Sequence, residues 1–135
     1  MIEVRPFKEY HLELLRVQGV QAAQRGSLSY VPGGAGVSAF AGDSILLCGG
    51  IAPMRPKVGV CWALLSERAA KHMTWLHYAT LRYITMQHWQ RLEAVVEQGF
   101  GPGCRWVELL GFHNEGPMPN FGESGETYLR YGRYG

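Results

Sequence analysis

A chain of 135 residues with 47% hydrophobic residues, four Trp and seven Tyr can bury a real core, which excludes disorder over most of its length. No run approaches about 18 consecutive apolar residues, and the opening Met1-Ile2-Glu3-Val4-Arg5-Pro6 lacks a basic region followed by an apolar one, so neither a membrane span nor a signal peptide is expected. The net charge of +2 conceals a gradient: residues 44 to 92 carry Arg55, Lys57, Arg68, Lys71, Arg82 and Arg91 against Glu67, whereas residues 93 to 135 carry Glu93, Glu97, Glu108, Glu115, Glu123 and Glu126 against Arg105, Arg130 and Arg133. A basic middle of this density is a solvated face or a phosphate attractor; a nucleic-acid surface would need a denser patch with interleaved aromatics.

In chain order, Ile2-Glu3-Val4-Arg5 alternates as a short strand that Pro6 ends, and His11 to Val20 carries a helical stripe through Leu12 and Leu15. Gly26, Pro32, Gly33, Gly34 and Gly36 mark a loop in which Leu28 to Val31 reads as a brief extended piece. Gly42-Asp43 between Val37-Ser38-Ala39-Phe40 and Ser44-Ile45-Leu46-Leu47-Cys48 reads as a hairpin turn. The paired Gly49-Gly50 marks a kink or a close backbone approach before Ile51-Ala52-Pro53.

The run Gly59-Val60-Cys61-Trp62-Ala63-Leu64-Leu65 is a buried strand, placed at the centre of the sheet over 59–65. It feeds a helix expected over 66–90, with Ser66 as N-cap, Glu67 in the first turn, and a stripe of Ala69, Met73, Leu76, Ala79, Tyr83 and Met86. Leu92 to Val96 then reads as a strand parallel to 59–65 across a right-handed crossover. A short helix over 103–110 stops at Gly111, and its Trp106, Leu109 and Leu110 form an apolar face to be buried with Phe112. Residues 114 to 126 read as a loop, and Thr127 to Tyr131 as a last strand. Together these give an α+β class with a mixed sheet in a single domain over 1–135.

Cys48, Cys61 and Cys104 are odd in number and widely spaced, which reads as reduced thiols. Neither they nor His11, His72, His77, His88 and His113 have metal-ligand spacing, so no metal site is expected.

The element order, with Arg105-Trp106-Val107-Glu108-Leu109-Leu110-Gly111-Phe112, resembles the GNAT superfamily of acyltransferases, whose late short helix ends in Leu-Gly-Phe. Gly49-Gly50-Ile51-Ala52-Pro53, Trp62-Ala63-Leu64-Leu65-Ser66, and Phe121-Gly122 with Gly125, Tyr128 and Tyr131 carry a narrower resemblance to the GNAT-like small proteins of tailed phages, including an internal virion protein family. The resemblance implies acetyl-CoA as cofactor, the end of the central strand at Ala63, Leu64 and Leu65 beside the pantetheine arm, and Ser66, Arg68 and Lys71 at the diphosphate. It implies either an acetyl-CoA-dependent N-acyltransferase or a non-catalytic virion or protein-binding component on the same scaffold. It further implies other virion proteins or a second copy of the chain as partners, and the host cytoplasm or the virion as location.

The chain departs from the superfamily pattern in three places. Ser66-Glu67-Arg68-Ala69-Ala70-Lys71 stands where an Arg/Gln-x-x-Gly-x-Gly/Ala loop should open the long helix. Val107 falls where a Tyr often protonates the leaving thiolate, and Phe100 where an Asn is frequent. No catalytic residue can therefore be named, although Glu97, His113 and Tyr128 carry groups that could act as acid or base; His72, His77 and Tyr78 are better read as core-edge residues.

Overall fold

The computed structural model describes residues 1–20 and 36–135; the expected glycine-rich loop and the extended piece at Leu28 to Val31 lie outside them. The described elements are β1 Ile2–Pro6, α1 Tyr10–Gln18, β2 Gly36–Ala41, β3 Ser44–Arg55, β4 Val58–Leu65, a 3-10 helix Glu67–His72, α2 Met73–Thr85, β5 Arg91–Glu97, α3 Gly101–Leu109, β6 His113–Met118 and β7 Tyr128–Tyr134. They form a mixed α+β structure with a seven-stranded sheet in the order β1, β2, β3, β4, β5, β7, β6. The described chain clusters into two compact units, Met1–Ala52 with Cys61–Leu76 and Pro53–Val60 with His77–Gly135.

In the first unit β1, β2 and β3 form an antiparallel meander, with Pro6 inside β1 opposite Val37 rather than ending it before that residue. Gly42, at φ +62°, makes the expected hairpin turn. β3 runs straight through the paired glycines. A side chain on Gly36 would sit 2.6 Å from the Gly49 carbonyl oxygen, and one on Gly49 would sit 2.9 Å from that of Trp62, so Gly49 marks a close backbone approach. Leu15, Val20, Phe40, Ile45, Cys48 and Leu64 form the core of this unit, with Phe7, Leu12, Leu14 and Trp62 packed against it.

In the second unit Val58, Gly59 and Val60 of β4 pair in parallel with Arg91, Leu92 and Glu93 of β5, as the crossover requires. β5 pairs antiparallel with β7, and β7 with β6. Val58, Ile84, Leu92, Ala94, Leu110, Phe112 and Tyr131 are its buried hydrophobic residues, and Arg133 Nε holds the end of α3 by donating to the Leu110 carbonyl at 3.0 Å.

Three expectations are corrected. The helix placed over 66–90 begins as a 3-10 turn and ends at Thr85. Its entrance is tightened because the Ala69 amide donates to the Ser66 carbonyl, while at its far end the Gln90 and Arg91 amides donate to the Lys57 carbonyl and draw the chain into β5. The shift leaves Met86 66% exposed and buries Ile84 in its place. The short helix starts at Gly101, with Pro102 in the first turn, where its missing N–H costs nothing. Leu109 is 72% exposed and Trp106 half-buried, so the apolar face of this helix is narrower than Trp106-Leu109-Leu110 suggests; Phe112 is buried as expected. Within the stretch read as a loop, residues 114 to 118 belong to β6, held by β7 through a register shift between Asn114 and Gly116.

Candidate functional site

The end of β4 and the turn after it are built by local chemistry. Leu64, Leu65 and Ser66 are buried, Ser66 completely. The Ser66 amide donates to the Leu46 carbonyl at 2.9 Å, and its hydroxyl accepts from the Arg68 amide at 3.2 Å, which is the expected cap. From this turn Arg68 and Lys71 extend outward, exposed, onto a cleft of about 490 Å3 that Glu67, His72, Gln18 and Ser44 help to line.

Gln18, the last residue of α1, organises the opposite wall. Its Oε1 accepts from the Ile45 amide at 2.7 Å, and its Nε2 donates to the Asp43 carbonyl at 2.9 Å, tying α1 to the β2–β3 hairpin. Arg68 Nη1 donates across the cleft to Gln18 Oε1 and Ser44 Oγ, each at 3.2 Å. A guanidinium held in this way presents a fixed positive charge, with Lys71 three residues on and Glu67 opposing both.

Of the sequence-predicted residues, the structure thus brings Arg68 and Lys71 to one cleft, buries Leu64, Leu65 and Ser66, and leaves Ala63 half-buried. Gln18 and Ser44 were not anticipated, and no local signal points to them. The groups weighed as acids or bases all lie in the second unit, away from this cleft. Glu97 and Tyr128 are register partners on β5 and β7, and the Tyr128 ring lies 5.3 Å from that of Phe121. His113 is exposed, with its ring 5.8 Å from Tyr134.

A different titratable pair is formed in the second unit. The buried Tyr131 hydroxyl donates to Glu108 Oε2 at 2.9 Å, and burial, reinforced by that bond, pushes the phenol far above its ordinary value.

The backbone at the turn is the decisive part for a diphosphate. Anion cradles at a strand–helix junction use unpartnered main-chain amides. Here the Glu67 amide donates to the Gly19 carbonyl at 3.3 Å, the Arg68 amide to Ser66 Oγ, and the Ala69 amide to the Ser66 carbonyl at 3.1 Å. Val20 bridges Ser66 in the same place. A main-chain cradle does not fit this turn, whereas side-chain cations do.

Solved structures share the fold. A probable acetyltransferase from Staphylococcus epidermidis superposes with a TM-score of 0.75 at 12% identity, covering 98% of each chain. The chain has the GNAT acetyltransferase fold. A putative phosphinothricin N-acetyltransferase matches at 0.73 and 15% identity over 99% of this chain and 98% of its own. An acetyltransferase from Bacillus subtilis in complex with CoA matches at 0.69 and 15% identity over 98% of this chain and 97% of its own. No family model and no curated protein matches the sequence.

Proposed function

We propose that this chain is a phage-type GNAT protein that binds acetyl-CoA at the end of β4 and transfers the acetyl group to an amine. The observation that carries the reading is the superposition of nearly the whole chain on acetyltransferases, one of them in complex with CoA. Acetyl-CoA would supply an acyl thioester. Arg68, fixed by Gln18 and Ser44, and Lys71 would hold its phosphates by side-chain charge in place of the missing glycines. The strand end Ala63 to Leu65 and the capped Ser66 would position the pantetheine arm. The motif series from Gly49-Gly50 to Tyr131 supports a tailed-phage origin, with the host cytoplasm or the virion as location and virion proteins or a second copy as partners.

A second reading, a non-catalytic virion or protein-binding component, is favoured by the committed amides of Glu67, Arg68 and Ala69 and by Val107 at the general-acid position. One experiment separates the two. Acetyl-CoA at about 100 times its dissociation constant should add roughly 2.7 kcal/mol to stability, raising the melting temperature. Charge reversal of both cations, Arg68→Glu with Lys71→Glu, should abolish that rise at low salt, and in the native protein about 0.5 M salt should shrink it. No rise at any concentration supports the second reading. A rise indifferent to the double reversal puts the phosphates elsewhere.

A further inference from the structure

Unit one contains a buried polar chain that the proposed transfer does not use. His11 of α1 is 1% exposed, and its ring is enclosed by Phe7, Tyr10 and Phe40, with centroids 6.1, 4.5 and 5.2 Å away. Nδ1 accepts from the Lys8 amide at 3.1 Å and lies 2.7 Å from the hydroxyl of Ser38, itself fully buried on β2. Ser38 Oγ in turn lies 3.4 Å from Sγ of the buried Cys48 on β3. Three elements, α1, β2 and β3, are thereby joined through one imidazole.

The proton positions are set by the one donor that cannot rotate. The Lys8 N–H points at Nδ1, so Nδ1 is the bare nitrogen and the neutral ring carries its proton on Nε2. Ser38 then donates to Nδ1 and keeps its 3.4 Å contact with the Cys48 thiol, which burial keeps protonated by pushing it up to about 11. Nε2–H is buried without an acceptor among the described residues. A second ring proton can go only to Nδ1, where it meets the Lys8 N–H head-on. Ser38 can turn to accept it; the backbone amide cannot.

We propose that the His11–Ser38–Cys48 chain is an acid-sensitive latch that holds α1 against β2 and β3 at neutral pH and releases it on acidification. The groups facing the ring agree with this. Arg5 on β1, whose guanidinium lies 4.3 Å over the Phe40 ring, and Lys8 at the entrance of α1 are both positive, and the Cys48 thiol, pushed up by burial, is neutral in this range. Burial first, then the charges of Arg5 and Lys8, holds His11 below its ordinary value of 6.5. A group held low in the folded state leaves the latch fully closed above pH 6.5 and opens it as pH falls from there toward the folded value. Release would uncover Leu15, Phe40 and Ile45.

Hydrogen-exchange protection of the whole protein, corrected for intrinsic rates, tests it between pH 7.5 and 4.5. Amides of Tyr10–Gln18 should lose protection below pH 6.5 by up to about tenfold per pH unit, while those of β5 and β7 hold. His11→Gln, which keeps an acceptor and cannot titrate, should remove the pH dependence. Constant α1 protection, or the same fall in His11→Gln, overturns the proposal. Should that variant fail to fold, the imidazole titration of the native protein by NMR decides: its midpoint must coincide with the loss of α1 protection, and a titration without any change in α1 refutes the latch.

Discussion

Gly49→Ala tests whether the first unit depends on close approach of two strands. The added methyl would lie 2.9 Å from the Trp62 carbonyl oxygen and 3.5 Å from Cα and Cβ of Ala63. The closest atom is main chain in the adjacent strand β4, so relief requires β3 and β4 to separate rather than a side chain to turn. Overpacking of this kind costs about 1–3 kcal/mol, a large part of a domain stability of roughly 5–15 kcal/mol. For a chain of this size, each kcal/mol lowers the melting temperature by about 3 °C. Gly99→Ala is the matched control, because nothing lies within 4 Å of its added methyl; it should be neutral or stabilising by about 0.4–1 kcal/mol. Urea denaturation measures both. Equal midpoints for the two variants would show that the β3–β4 contact is looser than the geometry says.

Phe112→Ala should cost about 3–5 kcal/mol because the ring is 3% exposed, whereas Trp106→Ala, at a half-buried position, should cost about 2 kcal/mol by chemical denaturation. Glu93 bonds to both Arg91 and Arg130, at 2.9 and 3.2 Å; burial raises its carboxyl, but those bonds outweigh it and hold the group below its ordinary value of 4.5. Its contribution is therefore present above pH 4.5 and lost as pH falls through the folded value, so the stability gap between wild type and Glu93→Gln should close in acid titrations below that pH.

The parallel crossover was legible because two physical signals agree on it: an apolar run at Gly59 to Leu65, and a hydroxyl at Ser66 placed to cap the helical segment after it. β6 was not legible. His113-Asn114-Glu115-Gly116-Pro117-Met118 has almost no strand propensity, and its conformation comes from register with β7 at the edge of the sheet, where a proline is tolerated. The cleft divides the same way. Arg68 and Lys71 announce themselves as cations at the start of a helix, but Gln18 and Ser44 reach Arg68 from 50 and 24 residues away, and no local pattern encodes such a meeting. The short 3-10 entrance was equally hidden, since nothing in the local pattern selects the bond from the Ala69 amide to the Ser66 carbonyl over an α-helical one.

That diverted turn makes a last prediction that separates side-chain from main-chain recognition. Ser66→Ala removes the hydroxyl that accepts from the Arg68 amide, at an expected cost of about 1 kcal/mol in stability for a lost cap. The same change leaves the Arg68 amide without that partner in the turn. If Arg68 and Lys71 hold the phosphates by charge, acetyl-CoA affinity measured by calorimetry should stay level or rise, because nothing the phosphates touch has been removed and one donor has been released. Stability would then fall without a fall in affinity. An affinity that falls in step with stability would show instead that the capped turn itself shapes the site, and that the phosphates depend on its main chain after all.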